Sequence, residues 1–315
     1  MIVQLVSTGL SAKNQRVNRV HQMNSLSVRA LILITASLLF PSAVVPQQKK
    51  APELNRIPQL VRTTTRHELR RFAYGGTLTL IGPPDSSITI EGWPRSEVDI
   101  SAEIQLRADT ETDLDLLAAV NTFVLDEDAN HLRLLSTGTH DKAFMRTVAK
   151  KFPKTLLGLP WRIDYLIRVP FAIDLDINAG RGPISIRSVE GNIQLNAAES
   201  AVNLKLTGGT LSTTIATGTV KLEIPTRSWH GVGATLRVAA GDITVEIPTG
   251  FSGDFDADIL RAGKIDAAFE ELGRASRGVD PRRMSARAGA GGAAFKLTVG
   301  DGVIVIKKQT VDSKQ

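Results

Sequence analysis

The chain has 315 residues, 42% of them hydrophobic and 22% charged, which supplies a core and excludes a disordered, highly charged protein. It has no cysteine, which excludes disulfide frameworks, a lipid-modified N-terminal Cys and thiol chemistry. The formal charge of +6 is concentrated at the start. Residues 1–45 hold Lys13, Arg16, Arg19 and Arg29 and no acid, leaving 34 basic against 32 acidic residues elsewhere, a balance too even to point to nucleic acid.

That first segment has the layout of an export signal. Arg29 precedes the uncharged run ALILITASLLFPSAVV, whose apolar centre from Ala30 to Phe40 is short for a membrane span and suits a signal-peptide core. Residues 1–45 are predicted as a signal peptide, with Met23 as an alternative start and Ala43 as the last residue before cleavage. Pro41 stands where a small residue is preferred, so an uncleaved anchor is the competing reading and the one membrane contact on offer. Residues 46–75 are rich in Lys, Arg and Pro with little periodicity and read as an exposed linker with one short helix at most.

From residue 76 a phrase repeats: a small residue, a spacer, then two apolar residues flanking a polar one. It occurs at Gly76–Leu80, Ser86–Ile90 and Ser96–Ile100, ten residues apart. It returns at Gly182, Gly191, Ser200, Gly209 and Gly218, nine apart, each followed two positions later by Ile184, Ile193, Val202, Leu211 or Val220. Looser echoes are Gly241–Val245 and Gly302–Ile306. Period-two alternation implies a strand with one buried face, and the Gly or Ser implies a tight corner. A nine-residue unit cannot bury its own apolar face, so it must stack on its neighbours. The prediction for 76–308 is an all-β fold, a β-solenoid of the right-handed β-helix type with one or two short helical insertions. An antiparallel meander or sandwich is the rival.

The helical insertions are predicted at 110–123, where Leu114, Leu117, Ala118 and Val120 follow Thr110 as N-cap, and at 141–159, where Pro153 interrupts the pattern. One of them is expected to cap an open end of the stack. Residues 260–293, rich in Arg, Ala and Gly, read as a mobile loop with a short helix from Ala267 to Leu272, and 309–315 as a tail.

The segments DSSITIEGWPRSEVDISAE (85–103), GPISIRSVEGNIQLNA (182–197), AAGDITVEIPTGFSGDFDADI (239–259) and GGAAFKLTVGDGVIVIKK (291–308) resemble the DUF4097 family of adhesin-like bacterial envelope proteins. The resemblance spans most of 76–308 and implies a β-helix-like fold, export and a role in adhesion. It implies no catalytic residues.

A β-helix can also be an enzyme acting on polysaccharides. Asp254, Asp256 and Asp258 share one strand face, as do Asp174 and Asp176, and alternate carboxylates can bind Ca²⁺ or act as acid and base. The competing reading is a solvated outer face. HELRR at 67 has Arg71 where a zinc protease needs its second His, and His131 and His140 beside Asp141 form only a weak metal constellation. No metal site, cofactor or catalytic residue is assigned. Trp229 stands where the nine-residue timing fails. Arg227, Trp229 and His230 are therefore the candidate interaction loop, with a Trp folded inward as a plug the competing reading.

The expected function is a non-enzymatic, exported interaction or adhesion scaffold of the bacterial cell envelope. Its partner would be an envelope or extracellular protein or a glycan. The alternatives are a carbohydrate-active β-helix enzyme or carbohydrate-binding module, and an envelope sensor with an anchored N-terminus.

Overall fold

The computed structural model describes residues 60–148, 151–267, 276–277 and 281–309. The export segment, the first part of the linker and the tail beyond Gln309 lie outside them. In chain order the elements are β1 Leu60–Arg71, β2 Thr77–Ile81, β3 Ile88–Trp93, β4 Glu97–Ala108, α1 Glu111–Val120, β5 Thr122–Glu127, β6 His131–Thr137 and α2 Lys142–Val148. A 3₁₀ turn at Lys154–Leu156 follows, then β7 Trp161–Pro170, β8 Asp174–Arg181, β9 Ile184–Arg187, β10 Asn192–Lys205, β11 Gly208–Glu223 and β12 His230–Ile247. The last strands are β13 Gly253–Asp266, β14 Ser276–Arg277, β15 Arg283–Ala288 and β16 Ala294–Lys308. The described residues are all-β apart from these short helical pieces.

The nine-residue spacing has a simple geometric meaning: two units make one step. Strand β10 pairs in parallel with β8 through Ile193↔Leu175, with β9 through Val202↔Ile184, and with β11 through Ile193↔Leu211, each partner 18 residues away. The first half of each long strand therefore joins one parallel ladder and the second half another. The first ladder runs β6–β2–β8–β10–β11–β12–β16–β13, and the second runs β7–β3–β9 and on through the same long strands. Inward side chains form columns along each. Leu132, Leu78, Leu175, Ile193, Leu211, Ala234, Phe295 and Phe255 are successive neighbours in the first, and Ile167, Ile90, Ile186, Leu204, Leu222, Val245 and Ile306 in the second. All belong to one continuous core. Each Leu or Ile so buried contributes about 1.5–3 kcal/mol.

The bend between the ladders fixes residue choice most tightly. Gly218 and Gly241 both have φ of +135°, and a Cβ on either would lie 2.0 Å from the Ser200 carbonyl oxygen or 1.7 Å from that of Gly218. Gly302 and Gly263 continue the same column. Here the backbone of one step rests against the backbone of the next, and only hydrogen fits between.

The stack departs from a plain repeat in three places. At the N-terminal end the third ten-residue unit reverses. β4 runs antiparallel to β7 and to β1, and β5 antiparallel to β6. No small residue follows Ile100 at the repeat interval except Ala102 and Ala108, both buried, so alternation continues for twelve residues without a corner. Near the C-terminal end, β16 lies between β12 and β13, although it follows both in sequence. Between β11 and β12 the step lengthens from 18 to 23 residues (Thr210↔Gly233), which accommodates the Trp229 loop.

Two sequence expectations are corrected. Residues 60–71, assigned by composition to an exposed linker, form the edge strand β1. Its half-buried alternate positions are Leu60, Arg62, Arg66, Glu68 and Arg70, so the period-two signal is carried by the aliphatic stems of charged residues. A charged edge also resists chain-to-chain pairing. Residues 260–293, read as a mobile loop, include the end of β13 and all of β15, whose Met284, Ala286 and Ala288 are buried. Small inward alanines supply the alternation there. The helix expected from Ala267 to Leu272 lies outside the described residues beyond Ala267.

The helix α1 is N-capped by Thr110, whose side chain accepts from the Asp113 N–H at 3.1 Å. It buries Leu114, Leu117 and Val120 and is tied to β1 by Arg62, which reaches Glu111 at 2.6 Å and Asp115 at 2.7 Å.

The corner constraint predicts that Gly241→Ala lowers stability by roughly 3 kcal/mol or more. Gly158→Ala, whose methyl would meet nothing within 4 Å, should change it by no more than about 1 kcal/mol. Chemical denaturation of both variants measures the contrast. Thr213 occupies an inward position among Leu195 and Leu236 with its hydroxyl buried and unpartnered. Thr213→Val should gain about 1 kcal/mol, read calorimetrically as a rise of about 2–4 °C in Tm.

Candidate functional site

The outer surfaces of the two ladders differ in chemistry. On the second, Asp99, Arg168, Glu91, Arg187, Lys205, Glu223, Glu246 and Lys307 are successive register neighbours. They pair across the strands: Arg168 with Asp99 at 3.7 Å, Arg187 with Glu91, Lys205 with Glu223 at 2.6 Å, and Glu246 with Lys221 at 3.0 Å and Lys307 at 3.2 Å. Burial alone would raise the Glu246 pKa, but the two ammonium groups reverse this and hold it below the usual carboxylate value. These charges satisfy one another, and most are exposed enough that each pair contributes little.

The first ladder presents uncharged polar residues instead. Asp176, Gln194, Ser212 and Thr235 form one outward column, and Asn178, Asn196, Thr214, Arg237 and Thr298 the next. The amide of Asn196 donates to Asn178 Oδ1 at 3.2 Å, and Asn178 in turn donates to Asp176 at 3.2 Å. Beside this second column lies a groove of about 550 Å³ that crosses the strands. Its floor is Ala179, Ala197, Ala216, Ala239 and Gly300, and its wall is the Asn–Thr–Arg column. Leu260, 58% exposed, and Arg261 close one end. Arg261 is held by Asp301 at 2.5 Å and by the Ala239 carbonyl at 3.0 Å. Among the described residues no carboxylate pairs with Arg237, which leaves one uncommitted cation in an otherwise neutral wall.

The groove residues were not singled out by sequence, although a signal exists. Gly180, Ala198, Ala216, Ala239 and Gly300 each stand two positions before a corner residue, so a small residue recurs just ahead of every bend. Small side chains there leave a trough where larger ones would fill it.

The predicted interaction loop is only partly available. Trp229 is 6% exposed, packs edge-on against Phe295 at 5.6 Å and donates its indole N–H to the Gly209 carbonyl at 2.9 Å. It is a plug and presents no ring face to a ligand. The longer step between β11 and β12 gives the loop enough chain to turn inward. Arg227 and His230 remain exposed, with His230 3.8 Å from Glu190.

The carboxylate runs are committed to structure. Asp254 takes Arg287 at 2.6 Å and the Gly292 N–H at 3.1 Å, which keep its pKa low, and Asp258 takes Arg283 at 3.2 Å. Asp174 accepts the Asn192 N–H at 2.7 Å. His131 and His140 are not brought together. His131 sits 3.1 Å from Asp128, whose carboxyl is lowered to about 2 by the N–H of Asn130 and by His131, while His140 packs on Trp161. Among the described residues no three His, Asp or Glu side chains are placed to hold a metal ion. Trp93 donates to the Glu97 carbonyl at 2.8 Å under the Arg95 guanidinium, and Trp161 is buried.

No protein-family model and no curated protein matches the chain. Among solved structures it is similar to a candidate cell adhesion protein from Clostridium sporogenes, at 13% identity and a TM-score of 0.40, covering 78% of this chain and 100% of that one. It is also similar to a candidate adhesin from Bacteroides fragilis, at 12% identity and a TM-score of 0.26 (79% and 97% covered). A candidate adhesin from Parabacteroides merdae gives 11% identity and a TM-score of 0.21, with 78% and 96% covered. None of these likenesses identifies a family for this chain.

Trp229→Ala should cost roughly 3–5 kcal/mol, whereas Arg227→Ala and His230→Ala should each stay within about 0.5 kcal/mol, as denaturant midpoints will report. Because Glu246 is depressed in the folded state, its stabilising contribution is present above its ordinary pKa of 4.5 and is lost as pH falls through the lower folded value. Glu246→Gln should therefore be less stable than wild type at pH 7, with the gap closing below about pH 4.

Proposed function

We propose that the two parallel ladders are the faces of one β-solenoid, and that the chain is a non-enzymatic, exported interaction protein of the bacterial cell envelope, adhesin-like in its mode of action. The observation that carries this reading is the groove, an apolar floor repeated strand after strand and edged by Asn, Thr and one unpaired Arg. Neighbouring strands rise by about 4.8 Å, so an extended polymer laid across them meets the same small contact several times. Individually weak contacts of this kind add up through area and repetition, with little reorganisation of a rigid surface. The partner class this fits is a neutral or weakly anionic glycan or an extended segment of an envelope protein, with Arg237 receiving an acid group. The ion-paired outer surface of the second ladder offers no comparable opening and serves register and solubility. Export rests on residues 1–45 and contact with the membrane on whether that segment is retained.

The test is a binding screen of the chain against neutral and acidic envelope glycans. A ligand found in this way should lose at least tenfold in affinity to Ala216→Glu and to Arg237→Glu, with Tm unchanged within about 2 °C, since both positions are exposed. Release of shortened products from any glycan would replace the scaffold reading with an enzymatic one.

A further inference from the structure

A second hollow, remote in sequence from the groove, lies between α2 and the chain that follows it. It has a volume of about 780 Å³, within the range of roughly 300–1,000 Å³ typical of small-molecule sites. Met145, Phe152 and Leu157 supply its apolar lining, and Leu157 is 42% exposed. Lys142 and Arg146 stand one helical turn apart on α2, and Lys154 faces in from the opposite wall. No acid lines the hollow. The nearest in sequence, Asp141, is committed to α2, accepting from the N–H groups of Ala143 at 2.8 Å and Phe144 at 3.0 Å. Among the described residues, no ion pair involves Lys142, Arg146 or Lys154. His140, also on the rim, has its pKa lowered by burial and is neutral at pH 7, so the three long side chains are the cations.

An apolar hollow ringed by three uncommitted cations selects on two criteria at once. A purely apolar molecule would lie against the cations and gain nothing from them, and a small hydrophilic anion would leave the Met145, Phe152 and Leu157 surface wet. We propose that this hollow binds a single-chain anionic amphiphile, its hydrocarbon tail on Met145, Phe152 and Leu157 and its acidic head group on Lys142, Arg146 and Lys154. The long stems of Lys and Arg cover apolar surface while their charged ends reach the head group. This site is independent of the groove and of the scaffold reading.

The experiment is a fluorescence titration of the full chain with 11-(dansylamino)undecanoic acid and with its methyl ester. The acid should bind saturably with a blue-shifted emission, and the ester at least tenfold more weakly. Lys142→Gln/Arg146→Gln/Lys154→Gln should weaken the acid at least tenfold without moving Tm by more than about 2 °C, because all three side chains lie on the surface of the hollow. Leu157→Glu, a single change at an exposed position, should weaken it similarly through the tail. Because wild type and variants share the apolar N-terminal run, binding to that run cancels in the comparison. Equal affinity for acid and ester, unchanged binding by both variants, or displacement of the probe by a soluble acidic oligosaccharide lacking an alkyl chain would each overturn the proposal.

Discussion

The structure depends on how closely one backbone can approach the next where the chain turns from the first ladder to the second. At Gly218 and Gly241 the space between successive steps is smaller than a methyl group. That contact fixes both the residue type and the interval. If corners must sit directly over corners, each step must contain the same number of residues, and the 18-residue register from β8 to β11 follows. Once the interval is fixed, every inward position faces its equivalent in the next strand, and the apolar columns assemble from residues that are isolated in sequence.

The same constraint shapes the outside. Equal steps place outward residues in columns too, so each column becomes a single chemical surface. The charged column on the second ladder is closed on itself, with Glu246 between two lysines and Glu91 between two arginines. The Asn–Thr column on the first ladder remains available, and the small residues ahead of each corner place a trough beside it. Function in a molecule built this way is a property of columns, which is why no compact constellation of catalytic side chains stands out.

Much of the repeat region was legible because one physical rule governs it. Gly182 to Gly218 at intervals of nine, each followed by an inward Ile, Val or Leu, could be read as short strands with tight corners from sequence alone. What failed to show were features carried by other residue types. The strand at 60–71 alternates through Arg and Glu stems, and the one at 283–288 through Met and Ala, so neither displays a pattern of large apolar residues. The insertion of β16 between β12 and β13 is a choice among partners with the same pattern, and a one-dimensional reading has no means to rank them. Trp229 illustrates a related ambiguity. A broken rhythm marks a loop equally well whether its aromatic side chain points to solvent or, as here, inward onto Phe295.

The absence of native cysteine allows the stacking itself to be tested by cross-linking. Gln194 and Ser212, 18 residues apart, are direct parallel neighbours on one outer surface, whereas Gln194 and Asn203, nine apart, lie on the two halves of the same strand β10. Under mild oxidation the Gln194→Cys/Ser212→Cys pair should close an intramolecular disulfide, and Gln194→Cys/Asn203→Cys should not. The opposite outcome, efficient closure of the nine-residue pair with none across 18, would mean that adjacent units fold back on each other as hairpins.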